Sequence, residues 1–207
     1  MIEQKPDADI IVVGGGAAGL MAAGRAAQKG ARVLLLEKTE TLGKKIMVSG
    51  KTRCNLSNSA DLKKFISMYG PKGRFLHGAF HRFFRPELLA FLASHGLQTK
   101  TERGGRIFPC SDDARDVVRV FQKYLAANKV AIVYHASVTA IDYSKKYFTV
   151  KTTKREYASR GLILATGGYV SAPAVTAAVL QGTPAPGACK MTVSTLGPIT
   201  GGWASGA

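Results

Sequence analysis

Short apolar runs closed by glycine or by charge punctuate the start of the chain. IIVV at 10–13 is β-branched and unbroken, and Gly14-Gly15-Gly16 ends it, which predicts a buried strand entering a glycine turn. Residues 17–29 are alanine-rich and stop at Gly30, the pattern of a helix with a glycine C-terminus. VLLL at 33–36 predicts a second buried strand, and Glu37 follows it. Strand, helix and strand in so few residues make a βαβ unit with a right-handed crossover.

Glycine and basic residues fill 43–58, which reads as an ordered loop. Ser59 or Asp61 is placed to cap a short helix reaching Tyr69, and Gly70-Pro71 breaks it. Pro86 and Gly96 bracket a further helix, 97–102 is a strand, and GGRIFP at 104–109 a turn. Ser111, Asp112 and Asp113 open a helix running to about residue 128. From Ala131 the apolar period becomes two. AIVYH, SVTAIDY and KYFTVKT predict three strands of a small β-meander at about 131–157, the last pair joined through Ser144-Lys145-Lys146. A last apolar run at 161–165 stops at Thr166-Gly167-Gly168. The fold class is α/β, a Rossmann-like dinucleotide-binding domain over 1–169, with a parallel sheet, helices on both faces and the meander added.

After Tyr169 the composition changes. Of the 38 residues in 170–207, 30 are Ala, Gly, Pro, Ser, Thr or Val and none is acidic, so an irregular tail is expected. A slip of reading frame near residue 170 would produce such a tail, and the expectation is a truncated chain.

The composition, 46% hydrophobic and 20% charged with mean hydropathy +0.03, is that of a globular protein. No apolar run is long enough to span a membrane, the polar start lacks a secretory pattern, and a cytoplasmic location is expected. Cys54, Cys110 and Cys189 are widely spaced and odd in number, so neither a disulfide framework nor a metal site is expected. The net charge of +16 would attract anions, yet the bases are spread over several segments with no helix-turn-helix or aromatic-interleaved RNA pattern. A solvated basic face is the plainer reading, and nucleic acid is not the expected partner.

Gly14-x-Gly16-x-x-Gly19 lies between a strand and a helix, the context that gives the pattern its meaning. Gly14 permits the tight turn, Gly16 leaves the backbone bare for a diphosphate, and Gly19 lets helix and strand close up. Ala17 and Ala18 open the helix, where free N–H groups and the helix dipole meet the phosphates. Glu37, with Lys38 beside it, is placed to accept hydrogen bonds from the adenosine ribose. Its carboxylate would repel a 2′-phosphate, which favours FAD or NAD over NADP at this site. Ala165-Thr166-Gly167 closes a late strand after the meander. In flavoproteins with two dinucleotide sites such a strand returns to the sheet beside the cofactor, which points to FAD.

GKKIMVSGKTRCNLSN at 43–58, with Arg53-Cys54-Asn55 at its centre, resembles the YhiN/BaiN-like flavoproteins, a family of NAD(P)/FAD-dependent oxidoreductases that includes aminoacetone-oxidase-like and 3-dehydro-bile-acid-reductase-like members. Glu102, Gly105-Arg106, Phe108-Pro109 and 165–169 are similar to that family too, so the resemblance covers 8 to about 169. It implies a two-lobed enzyme with Lys45, Arg53 and Asn55 close to FAD, NAD(P)H as electron donor, and a small organic molecule or oxygen as acceptor. The plain alternative for Lys45 and Arg53 is a solvated loop charge, and Cys54 reads as a packed small residue rather than a redox thiol. The family's continuation after residue 169 is not legible, and no catalytic acid or base is assigned. Two other readings stay open: a non-catalytic fragment holding FAD weakly or not at all, and a basic nucleic-acid-associated protein on a Rossmann scaffold.

Two local patterns are set aside. Gly50-Lys51-Thr52 ends like a phosphate-binding loop, but Lys45 stands where the earlier glycine is required. His77 and His81 have metal-ligand spacing without a third ligand.

Overall fold

The computed structural model describes residues 6–144, 146–167, 178–181 and 190–191. Lys145, Gly168, Tyr169, Cys189 and most of the tail, including the point of the expected frame slip, lie outside the described residues. The chain divides into two compact units, one of residues 1–42 and 128–207 and the other Gly43–Ala127, so the stretch 1–169 expected as one domain contains both.

The first unit opens with β1 (Ala8–Val13), α1 (Ala17–Gln28) and β2 (Val33–Leu36). The second unit follows with α2 (Lys44–Val48), β3 (Ser57–Asn58), α3 (Leu62–Ser67), a 3-10 segment Gly70–Leu76, α4 (His77–Arg82) and α5 (Arg85–Ser94). It closes with β4 (Thr99–Thr101), a 3-10 turn Arg103–Gly105, β5 (Arg106–Pro109) and α6 (Ala114–Ala127). The chain then returns to the first unit through β6 (Ala131–Val133), β7 (Val138–Ser144), β8 (Tyr147–Thr152) and β9 (Glu156–Leu164), with β10 (Ala178–Gln181) and β11 (Lys190–Met191) beyond.

In the first unit β6, β2, β1 and β9 run parallel in that order, with Ile10 opposite Val33 and Gly161. β8 and β7 extend the sheet antiparallel from β9. β6 therefore belongs to the parallel sheet, and the meander is β7, β8 and β9. β10 pairs antiparallel with β9 and β11 with β7, so the described part of the tail, expected as irregular, forms two short strands. The side chains of β1 alternate between two faces. Ile11 and Val13 share one buried cluster with Leu34, Leu36, Ile141, Phe148, Val150 and Leu162. Val12 and Leu35 lie on the other face with Leu20 and Ala23 of α1, and all four are fully buried. Each such side chain contributes roughly 1.5–3 kcal/mol relative to exposure, less for alanine. Among the described residues α1 is this unit's one helix, and Ile141, Phe148 and Val150 of the meander complete the buried cluster on the other side.

The second unit pairs β5 with β4 and β3, all antiparallel. GGRIFP is accordingly a strand after a 3-10 turn, not a turn alone. α6 buries Val117, Val118, Val120, Phe121, Tyr124 and Leu125, a stripe at helical spacing. Asp61 caps α3 through Oδ1, which accepts from the Lys64 N–H at 2.8 Å. The ordered loop expected at 43–58 contains α2, which starts from Gly43 in the left-handed region (φ 70°).

Candidate functional site

The glycine turn joins three chain segments of the first unit. The Gly14 N–H donates to the Leu36 carbonyl at 2.8 Å and the Ala165 N–H donates to that of Val13 at 2.8 Å, which ties the ends of β1, β2 and β9 together. Gly14 has φ +103°, and a Cβ there would lie 2.5 Å from the Ala165 carbonyl oxygen. A Cβ on Gly19 would lie 1.8 Å from the Gly14 carbonyl oxygen, so helix and turn approach to a distance that only glycine permits. At Gly16 an added Cβ would meet nothing within 4 Å. The fold itself gives no reason for a bare backbone at Gly16.

Gly16 is the N-cap of α1, has no side chain to cap the first turn, and no acid lies in that turn. The leading N–H groups of a helix lack intrahelical acceptors and carry the positive end of its dipole. Ala17 is exposed and Ala18 partly so, so this end of the helix is open.

Glu37 is 9% exposed and turned toward the glycine turn. Its Oε2 accepts from the Gly15 N–H at 2.7 Å and its Oε1 from the Thr39 N–H at 2.9 Å. The Thr39 hydroxyl lies 2.9 Å from Oε1 and 3.0 Å from the Thr41 carbonyl, and its single proton serves one at a time. A carboxylate offers about four acceptor positions, so capacity for a sugar hydroxyl remains. Thr41 Oγ1 nearby in sequence is a buried polar atom without a protein partner among the described residues. Lys38 is exposed; Thr166 and Gly167 are exposed at the end of β9, while Ala165 is buried against the turn.

Lys45, Arg53 and Asn55 belong to the second unit, where Lys45 and Asn55 are exposed. Arg53 has specific protein partners. Its guanidinium grips Glu102 with both ends at 2.8 and 3.1 Å, donates to Asp112 Oδ1 at 3.1 Å, and stacks 4.0 Å from the Phe108 ring centroid. Lys100 pairs with Asp112 and lies 3.7 Å from Glu102. Arg53 holds the Glu102 carboxyl below its ordinary range; Lys100, then Arg53, do the same to Asp112. Lys51, Thr52 and Cys54 all have positive φ, of 56°, 67° and 63°. Such values are strained for non-glycine residues, above all for β-branched Thr52. The Ala114 N–H holds the Thr52 carbonyl at 2.9 Å. Burial pushes the Cys54 thiol up, consistent with a packed residue. No helix follows Thr52, as a phosphate-binding loop requires. The His77 and His81 rings stack 6.0 Å apart, and among the described residues no group of three His, Cys, Asp or Glu is arranged to hold a metal ion.

The family pattern described as the HI0933-like protein Rossmann domain matches residues 8–200. The chain belongs to this family. The HI0933-like match runs past residue 169, where the resemblance read from the sequence stops. Among curated relatives, a 3-dehydro-bile acid delta(4,6)-reductase of Clostridium scindens is 38% identical over 163 residues, 77% of this chain and 39% of the relative. A ribosomal RNA dihydrouridine synthase of Escherichia coli is 28% identical over 161 residues, with the same 77% and 39%. The HI0933-like chain thus spans about two fifths of the length of these relatives. Among solved structures, a 3-ketosteroid-delta4-(5alpha)-dehydrogenase of Rhodococcus jostii aligns with TM-score 0.57 at 18% identity, over 81% of this chain and 48% of that one, a likeness of fold. Among the described residues no helix is long and apolar enough to cross a membrane.

Sequence reasoning missed Gly15 and Thr39, the two residues whose amides hold Glu37. It also missed Lys100 and Asp112 around Arg53. Glu37-x-Thr39 offers a weak local signal; the partners of Arg53 stand 49 and 59 residues away and offer none.

Proposed function

We propose that this chain is the dinucleotide-binding portion of an FAD-dependent oxidoreductase that draws electrons from NAD(P)H and reduces a small organic acceptor or oxygen. The observation that carries the reading is Gly16. Its neighbours Gly14 and Gly19 are fixed as glycine by contacts within the fold, while Gly16 borders empty space at an uncapped helix start. A diphosphate explains that space. Gly14, Gly16 and Gly19 shape the cradle, the amides of Ala17 and Ala18 take the phosphate oxygens, and Glu37 takes the adenosine ribose, with Lys38 at its rim. Ala165, Thr166 and Gly167 form the wall at the end of β9. Lys45, Arg53 and Asn55 remain cofactor residues by family resemblance. For Arg53 the charge pairs favour a positioning role, holding the strained 50–55 loop in shape.

Bound FAD supplies the two-electron chemistry; the protein supplies placement and electrostatics. Among the relatives, one is named a reductase and the other is named for making dihydrouridine, a uridine with two added hydrogens. Both names favour reduction of the acceptor. Flavin absorbance of the purified chain, followed by FAD titration, tests the proposal. A chain that neither carries flavin nor binds added FAD overturns it.

A further inference from the structure

Residues 62–85 form a basic, acid-free surface that the dinucleotide site does not use. The stretch holds six Lys or Arg (Lys63, Lys64, Lys72, Arg74, Arg82, Arg85), two His and no Asp or Glu. The flanking acids are engaged as helix caps: Asp61 accepts from the Lys64 N–H at 2.8 Å and Glu87 from the Phe84 N–H at 2.9 Å. Arg85 is also engaged, donating to the Asn58 and Ala60 carbonyls at 3.1 and 2.6 Å. Lys63, Lys64, Lys72, Arg74 and Arg82 are exposed.

The same segment carries four of the five exposed large apolar side chains among the described residues, Met68 at 59%, Tyr69 at 53%, Phe75 at 91% and Phe83 at 37%. These are not signs of a loose segment. Phe65, Phe80 and Phe84 contact one another with centroids 5.1–5.5 Å apart, and Tyr69 joins them from 5.8 Å. Gly73 is buried so tightly that a Cβ would lie 2.3 Å from the Ile66 carbonyl oxygen. α3, the 3-10 segment and α4 thus have an aromatic interior of their own, and Phe75 stands outside it beside Arg74.

We propose that this surface docks on an anionic lipid membrane, with Phe75 and Met68 entering the interfacial layer and the exposed bases of the segment meeting lipid phosphates. Charge complementarity identifies the partner as anionic, and apolar tips among cations are the composition of interfacial membrane contacts. Single-stranded RNA is disfavoured because stacking proteins lay rings on a sheet or along a groove, whereas these rings sit on short helical segments. The proposal stands independently of the FAD reading.

Sedimentation of the full chain with phosphatidylcholine vesicles, with and without phosphatidylglycerol, tests it at about 0.15 M salt. Binding is expected with the anionic vesicles alone. Phe75→Ser weakens it about ten-fold, and the pair Lys72→Glu, Arg74→Glu by at least about 25-fold at roughly five-fold per charge. Because these positions are exposed, melting temperatures stay at wild type; Met68→Ser is a second apolar variant should Phe75→Ser shift the melt. Absence of anionic-vesicle binding overturns the proposal. So does binding that ignores these substitutions, or retention on poly(uridylate) without vesicle binding.

Discussion

Gly16→Ala separates what a ligand requires of the glycine turn from what the fold requires. The backbone at Gly16 is extended (φ −81°, ψ −177°), open to any residue, and the new Cβ meets nothing within 4 Å. Alanine is a poorer helix N-cap than glycine by roughly 0.5–1 kcal/mol. Restricting the unfolded chain opposes this by about 0.4–1 kcal/mol. The net change in stability is about 0.5 kcal/mol or less, about 2 °C in Tm at this chain length. On the proposed reading the same methyl group stands where the diphosphate approaches the first-turn amides. Each charge-assisted hydrogen bond given up costs about 1.5–3 kcal/mol, about ten- to hundred-fold in Kd. Gly19→Ala is the contrasting variant. With its Cβ 1.8 Å from the Gly14 carbonyl oxygen, strand and helix must part. That costs about 3 kcal/mol and lowers Tm by about 6–12 °C. Thermal melts and FAD titrations of both variants read the two effects separately. If Gly16→Ala binds FAD as the wild type does, the diphosphate is not at this turn; if it melts as low as Gly19→Ala, the open space is not real.

Other expectations follow from the same contacts. Glu37→Gln turns an NH2 group toward one of the amides that the carboxylate accepts from, so stability falls by about 1–3 kcal/mol in denaturant titration. Cys110 is exposed and Cys54 buried with its thiol pushed up by that burial, so iodoacetamide followed by peptide mapping labels Cys110 in the native chain and Cys54 only on unfolding. Glu102 and Asp112 have lowered folded-state pKa values, so their pairing with Arg53 stabilises fully above the ordinary carboxylate range and is lost as pH falls through the folded values. Melts across pH should therefore show an Arg53→Ala deficit that is largest near neutrality and shrinks toward acid. A deficit that grows toward acid contradicts the pairing.

Local signals carried the first βαβ unit, and distant partners hid much of the rest. β2 begins and ends at the residues the apolar run marks, and α1 stops where Gly30 predicts, because both are set by neighbours in sequence. The five residues of α2 are too few to show a helical period. In GGRIFP the paired glycines suggest a turn, and only pairing with Thr99–Thr101 and Ser57–Asn58 reveals a strand. AIVYH has the alternation of its neighbours, yet Ala131–Val133 pairs parallel with β2, a choice made by topology rather than by period. The division at Gly43 and Ala127 coincides with a glycine-rich basic stretch and a change of apolar period, but neither of these by itself marks a separate compact unit. At the site, the glycine spacing was legible because the strand–turn–helix contacts it serves are local, and Glu37 because it directly follows the second strand. The destination of the Arg53 guanidinium was not, since a long side chain's charge says nothing about which carboxylate it reaches.

On the proposed reading Glu37 unites stability and selectivity in one buried carboxylate. By accepting from the Gly15 N–H at 2.7 Å it fixes the turn, and it engages that amide itself. On the proposed reading the diphosphate is then left to the amides from Ala17 onward, at the end of α1 that no side chain of the N-cap covers. On that reading the same fixed charge faces the adenosine sugar. A neutral 2′-hydroxyl can donate to its remaining acceptor positions. A 2′-phosphate would bring like charge instead, and two unit charges about 4 Å apart at an effective dielectric of 20 repel by about 4 kcal/mol, close to a thousand-fold in affinity. The carboxylate cannot easily turn away, because doing so would leave the Gly15 and Thr39 amides without acceptors. On the proposed reading, rejection of a 2′-phosphorylated dinucleotide is therefore built into the contact that holds the turn together, and any substitution that relaxes it should also cost stability.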